Sequence, residues 1–155
     1  RPHPALPARV FAIGGSQGGA IALAVAGLMP DLAGVAADVP FLCDFPEAIT
    51  LTSPSGTGYG EVLQYLGLHR GEEETVLRTL SFLDVANLVT RATAPALVSV
   101  ALMDATCMPR TVFAAYNRYA GADKDIVVYP YNDHEGGAAD QVWRVLEWLR
   151  GRAGA

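Results

Sequence analysis

Cysteine is almost missing from this chain: Cys43 and Cys107 are the two among 155 residues. Two thiols give no disulfide framework and no metal-ligand spacing, so each reads as a small packed hydrophobe. Lysine is scarcer still, because ten of the eleven basic residues are arginine and Lys124 stands alone. The arginines are scattered, and the formal net charge of −5 would repel phosphates, which excludes a nucleic-acid partner. No apolar run approaches the roughly 20 residues of a membrane span, so no membrane partner is expected. Arg1 to Pro7 lacks the apolar core of a signal peptide, and the expected location is cytoplasmic. Repeats and low-complexity segments are also absent. Charged residues make up 17% and hydrophobic residues 51%, the balance of a globular chain. At this length it can bury about two-thirds of its unfolded surface as one domain.

What is present is a βα rhythm, interrupted once. Ala8 to Ile13 is short, apolar and closed by Gly14-Gly15, which reads as a strand buried on both faces. Gln17 to Met29 changes period, with Ile21, Val25 and Leu28 at helical spacing, and Pro30-Asp31 ends it. A second apolar run, Ala33 to Val39, completes a βαβ unit with a parallel strand pair. From about 41 to 92 the pattern reads as a mostly helical insertion, with Glu72 to Glu74 opening one helix and Asp84 capping another. Strands at Ala96 to Leu102 and Asp125 to Tyr131 then alternate with helices at Thr111 to Ala120 and Gln141 to Arg150. The second of those helices carries Val142, Val145, Leu146 and Leu149 as its expected inner face. The fold class is α/β, with a parallel sheet.

Gly14-Gly15-Ser16-Gln17-Gly18 matches G-x-S-x-G where a strand meets a helix. Hydrolases need a sharp turn there to stand the serine hydroxyl above the sheet edge. The Gln17 N–H, at the start of the helix, is placed to stabilise an oxyanion forming beside Ser16. A serine nucleophile needs a base, and the base needs a carboxylate to hold its tautomer. In this fold they follow in the order Ser, Asp, His. Asp104 comes just past one strand and His134 just past the next, so all three stand at the carboxyl edge of the sheet. Asp133 and Glu135 adjoin His134 too closely in sequence to reach its Nδ1. A competing reading is a dinucleotide fold, with Asp38 as the acid ending the second strand. There, however, Ser16 occupies the place of the glycine that admits the pyrophosphate. A P-loop is excluded, because no Lys-Ser/Thr follows Gly19. His3 reads as tail and His69 as the end of a surface helix.

The chain resembles the acetyl xylan esterases and cephalosporin C deacetylases of the α/β-hydrolase superfamily over nearly its whole length. The resemblance rests on Gly-Gly-Ser-Gln-Gly-Gly at 14–19, Ala-Asp-Val-Pro-Phe-Leu-Cys at 37–43 and Leu-Met-Asp at 102–104. It continues in Thr-Val-Phe-Ala-Ala-Tyr-Asn at 111–117, Tyr-Pro-Tyr-Asn at 129–132 and His-Glu-Gly-Gly at 134–137. It implies Ser16 as nucleophile, Asp104 as orienting acid, His134 as base and the Gln17 N–H as oxyanion donor. The implied reaction is removal of acetyl groups from sugars or other small alcohols through an acetyl-serine, without metal or cofactor. The implied assembly is a homo-oligomer, often a hexamer. Where the family usually has Cys-Pro-Pro-Ser-Thr, this chain has Cys107-Met108-Pro109-Arg110-Thr111. The family's Arg-Gly-Gln segment and the loop bearing a second oxyanion donor do not occur in it. The expectation is therefore a partial α/β-hydrolase fold, the C-terminal part of a longer domain whose nucleophile strand is a bare apolar edge. A non-catalytic piece that keeps the triad residues is the alternative.

Overall fold

The computed structural model describes residues 9–153 apart from Thr57; Ala8, His3 and the Arg1 to Pro7 stretch lie outside the described residues. Four strands form one sheet in the order β1-β2-β3-β4, where β1 is Phe11–Gly15, β2 Gly34–Asp38, β3 Ala96–Ala101 and β4 Lys124–Tyr129. All three pairings are parallel. Parallel neighbours need a crossover. Helix α1 (Gln17–Leu28) supplies the first and α6 (Pro109–Arg118) the last. Between β2 and β3 the chain forms α2 (Phe45–Leu51), α3 (Tyr59–Leu68), α4 (Glu73–Leu80) and α5 (Val85–Leu88), then a 3₁₀ turn at Val89–Arg91. Helix α7 (Ala138–Ala153) follows β4.

Side-chain alternation along the strands builds two cores. Val35, Ala37, Val98 and Val100 point into the larger one with Leu23, Ala26, Val85 and Val112 from the helices. Ala36 and Leu97 point the other way, onto Val145, Trp148 and Leu149 of α7. The sheet is thus covered on both faces, as an all-parallel sheet requires.

The helices lie where the sequence pattern puts them, but α1 turns a different face inward and α7 packs only Val145 and Leu149 of the expected four onto the sheet, with Val142 and Leu146 exposed. In α1 the inward residues are the small ones, Gly19, Ala20, Ala22, Leu23 and Ala26. Ile21 and Leu28, the expected inner positions, are 55% and 62% exposed. The physical reason is proximity: a methyl on Gly19 would sit 3.1 Å from the backbone oxygens of both Asp38 and Gly14. Only a face of small side chains lets α1 approach β1 and β2 this closely. In α7, Val142 is likewise exposed, whereas Val145 is buried and Gln141, a polar residue, is buried beside it. Strand β1 runs to Gly15, two residues past the expected end, because Gly14 and Gly15 pair with Ala37 and Asp38.

Asp84 organises the helical segment. Its Oδ1 accepts from the backbone N–H groups of Asp44 and Ala86, both at 2.9 Å, and its Oδ2 accepts from Phe45 at 2.8 Å. One buried carboxylate therefore caps α2 and α5 together. Nearby, Tyr59 packs between Phe41 and Phe45, and its hydroxyl accepts from the Cys43 N–H at 3.1 Å. Burial raises the pKa of that phenol well above its ordinary value. Tyr65, by contrast, is exposed and stacks on His69, the C-cap of α3.

Candidate active site

Ser16 joins β1 to α1 in a conformation L residues rarely adopt, φ 52° and ψ −120°. The turn is over-determined by its surroundings, as such strain must be. The Ser16 N–H donates to the Asp38 carbonyl at 2.8 Å, and the Ser16 carbonyl accepts from Ala20 and Phe41, both at 3.0 Å. The glycines divide the work. A methyl on Gly14 would lie 2.3 Å from the Gly18 carbonyl carbon, so only glycine fits there. A methyl on Gly18 would meet nothing within 4 Å; that glycine is not needed for room. Gln17 is the first residue of α1, where a backbone N–H has no acceptor within its own helix.

Asp104 follows β3 on a turn that pins its carboxylate. Oδ1 accepts from the N–H groups of Thr106 at 2.7 Å and Cys107 at 2.8 Å. Oδ2 lies 3.0 Å from His134 Nδ1, with the Asp104 side chain fully buried and the His134 side chain 39% exposed. The loops bearing the two residues are stitched together by the Met103 N–H, which donates to the Asn132 carbonyl at 3.1 Å. The acids flanking His134 hold the loop's shape: Asp133 Oδ1 accepts from the His134 N–H, and Glu135 Oε1 from Asn132 Nδ2. Neither is the partner of Nδ1. The two glycines that follow are needed for separate reasons. Gly136 has φ +59°, and a methyl on Gly137 would lie 2.0 Å from the Tyr129 ring.

Ser16 and His134 line one cavity of about 330 Å³, together with Asp38, Gly136 and Gln141. Among the described residues, Ser16 Oγ has its contact with Cys107 Sγ at 3.9 Å and none at hydrogen-bonding distance to His134. The structure therefore brings Ser16, Asp104, His134 and the start of α1 at Gln17 to one rim, with the Asp–His pair formed and the serine turned toward the thiol. Apo sites often hold such bonds loosely.

Two neighbours went unassigned in the sequence. Cys107 is buried as expected, but it also touches Ser16 and anchors Asp104. Burial, followed by the nearby Asp104 charge, pushes its thiol up to about 12. Asp38 did stand out, though as the acid of a nucleotide fold. Here its Oδ1 accepts from Gln141 Nε2 at 2.6 Å and from Ser99 Oγ at 3.5 Å. That engagement ties its carboxylate to β3 and α7 where it lines the cavity. Its pKa is raised because burial outweighs these two bonds. Gln141 Oε1 in turn accepts from the Tyr129 hydroxyl at 2.9 Å. The backbone carbonyl that fixes Ser16 and the ring beneath the His134 loop are thereby joined through one polar chain.

A parallel sheet wrapped by helices, with a strained serine at the first strand–helix junction and an Asp–His pair past the last two strands, is the α/β-hydrolase fold. Three comparisons narrow the class. The sequence matches the family described as acetyl xylan esterase (AXE1) over residues 5–152. An acetyl xylan esterase from Paenibacillus sp. R4 superposes with a TM-score of 0.86 at 36% identity, covering 94% of this chain and 46% of that one. Acetyl xylan esterase 1 from a Thermoanaerobacterium species gives 0.82 at 36% identity, covering 92% and 45%. The acetyl esterase Axe7A of Xylanibacter ruminicola is 33% identical over 125 residues, 81% of this chain and 27% of its own length. The chain belongs to the acetyl xylan esterase family. It spans less than half the length of each of these relatives.

Proposed function

We propose that this chain carries the acyl-transfer residues of a serine carboxylester hydrolase acting on small acetylated substrates. Acetylated xylo-oligosaccharides are the substrate class its relatives' names suggest, and cephalosporin-like acetyl esters are the other candidates. The observation that carries the reading is the Asp104–His134 Nδ1 contact of 3.0 Å on the same rim as a serine held at φ 52°. Asp104 fixes Nδ1 as the protonated nitrogen, leaving Nε2 to act as base. Ser16 Oγ, rotated off Cys107, bonds to the acetyl carbonyl carbon and gives its proton to Nε2. The Gln17 N–H and the α1 dipole stabilise the oxyanion. His134 then protonates the departing alcohol, leaving acetyl-Ser16. Water, deprotonated by His134, attacks that ester and releases acetate with Ser16 restored. The route needs no metal or cofactor, and assembly as a homo-oligomer accompanies the reading.

A second reading is a non-catalytic piece that keeps the triad residues and serves only as a truncated or assembly part of such an esterase. It is favoured by the position of β1, an edge strand whose Ile13 is 51% exposed. Fluorophosphonate labelling with peptide mass spectrometry, run beside Ser16→Ala, separates the two. Labelling at Ser16 that disappears in the variant is the expected result. A folded chain that takes up no label overturns the first reading in favour of the second.

A further inference from the structure

The acyl-transfer scheme leaves Cys107 without chemistry of its own. Its thiol nevertheless lies where three ligating side chains converge. A carboxylate oxygen of Asp104, Cys107 Sγ and an imidazole nitrogen of His134 all lie within 4.8 Å of one another. Ser16 Oγ is 3.9 Å from the same sulfur. We propose that Asp104, Cys107 and His134 form a binding site for a borderline-soft divalent cation of the zinc class, whose occupancy silences the serine.

The donor set selects the ion. Thiolate, imidazole and carboxylate together suit zinc, whereas magnesium and calcium ask for oxygen throughout. Three protein ligands leave a fourth position, which water or Ser16 Oγ can fill. The spacing requires little movement. Bonds of about 2.0–2.3 Å to a tetrahedral ion put ligand atoms roughly 3.3–3.6 Å apart. Asp104 Oδ2 and His134 Nδ1 are already 3.0 Å apart, so the sulfur, within 4.8 Å of its fellow ligands, closes by at most about 1.5 Å.

The surrounding bonds support the site. Asp104 Oδ1 keeps its two backbone N–H donors, which hold the carboxylate's orientation while Oδ2 turns from the imidazole to the ion. Such outer bonds are what tune metal sites. As the metal bonds form, the thiol proton leaves to solvent, and the imidazole gives up its Nδ1 proton and takes one from solvent at Nε2, so that the Nδ1 lone pair faces the ion. Thiolate and carboxylate then neutralise the two positive charges. With the imidazole and Oδ2 engaged, Ser16 has neither base nor orienting acid. That last consequence rests on the proposed esterase reading, whereas ion binding itself does not.

The test is a Co²⁺ titration of the full chain, read by absorbance. One equivalent is expected to produce a thiolate-to-cobalt charge-transfer band with intense visible bands of a four-coordinate ion, and Zn²⁺ should abolish them. Cys43→Ala should keep the bands and Cys107→Ser should lose them. His134→Ala, which truncates a partly exposed side chain, should weaken binding at least 10-fold, with circular dichroism checking the fold of each variant. In a parallel arm, Zn²⁺ should protect Ser16 from fluorophosphonate in the parent chain. Absence of the bands, or bands that survive in Cys107→Ser, overturns the site whether or not Ser16 is reactive. Cobalt bands without protection overturn only the silencing.

Discussion

Gly14 and Gly18 bracket the serine symmetrically in sequence, yet the structure assigns them opposite tolerance, and alanine at each measures the difference. At Gly14 the new methyl would stand 2.3 Å from the Gly18 carbonyl carbon and 2.4 Å from its oxygen. That is more than 1 Å inside van der Waals contact, and both partners are backbone, so no side chain can yield. The strand and helix must separate, at a cost of about 1–3 kcal/mol, or roughly 2–12 °C in Tm for a chain this long. Because the displaced backbone carries Ser16, its reaction with a fluorophosphonate should slow about 100-fold. At Gly18 the methyl meets nothing within 4 Å, and the residue lies in the first turn of α1. Relief of glycine's entropy there should add ~0.5–1 kcal/mol, a Tm about 1–4 °C higher, with labelling near the parent rate. Thermal unfolding by circular dichroism and timed labelling read both. The reasoning is refuted if Gly14→Ala melts with the parent chain, or if Gly18→Ala is equally harmful.

Asp84→Ala strands three backbone N–H groups and should lower stability by about 2–4 kcal/mol, while Asp84→Asn, which keeps an acceptor oxygen, should lose less; urea unfolding compares them. Asp38 is held protonated to higher pH in the folded chain than its ordinary 3.8, so its contribution is full below that value and is lost as pH rises through the raised one. Asp38→Asn should therefore gain in Tm relative to the parent between about pH 4 and pH 7, and an unchanged difference would contradict the burial argument. Gly137→Ala drives a methyl into the Tyr129 ring, whose hydroxyl is tied to Asp140 and Gln141. Ser16 labelling should fall in that variant and partly return when Tyr129→Ala is added. Asp104→Asn should cut labelling by on the order of 10³–10⁴ while Tm changes little by comparison.

The candidate-site residues were legible because strand ends are legible. Ser16, Asp104 and His134 each follow an apolar run that stops abruptly, and a parallel sheet gathers such stops on one rim. Which helix face turns inward was not. In α1 Ile21 and Leu28 face outward and only Val25 packs on the core, since the approach to β1 is set by the glycine and alanine stripe, a contact made across chain segments. Cys107 was read correctly as buried, but its closeness to Ser16 spans 91 positions and leaves no local trace. Asp84 was visible as one cap; that it serves a second helix 40 residues away depends on a tertiary contact that brings the residue before α5 to the start of α2.

The backbone angle at Ser16 also bears on how this chain responds to selection. A non-glycine residue in that region costs about 1–3 kcal/mol, a penalty glycine would not pay. Position 16 is thus a place where heat resistance and reactivity pull apart. A screen for thermostability alone would favour Ser16→Gly and return a sturdier chain without the proposed nucleophile.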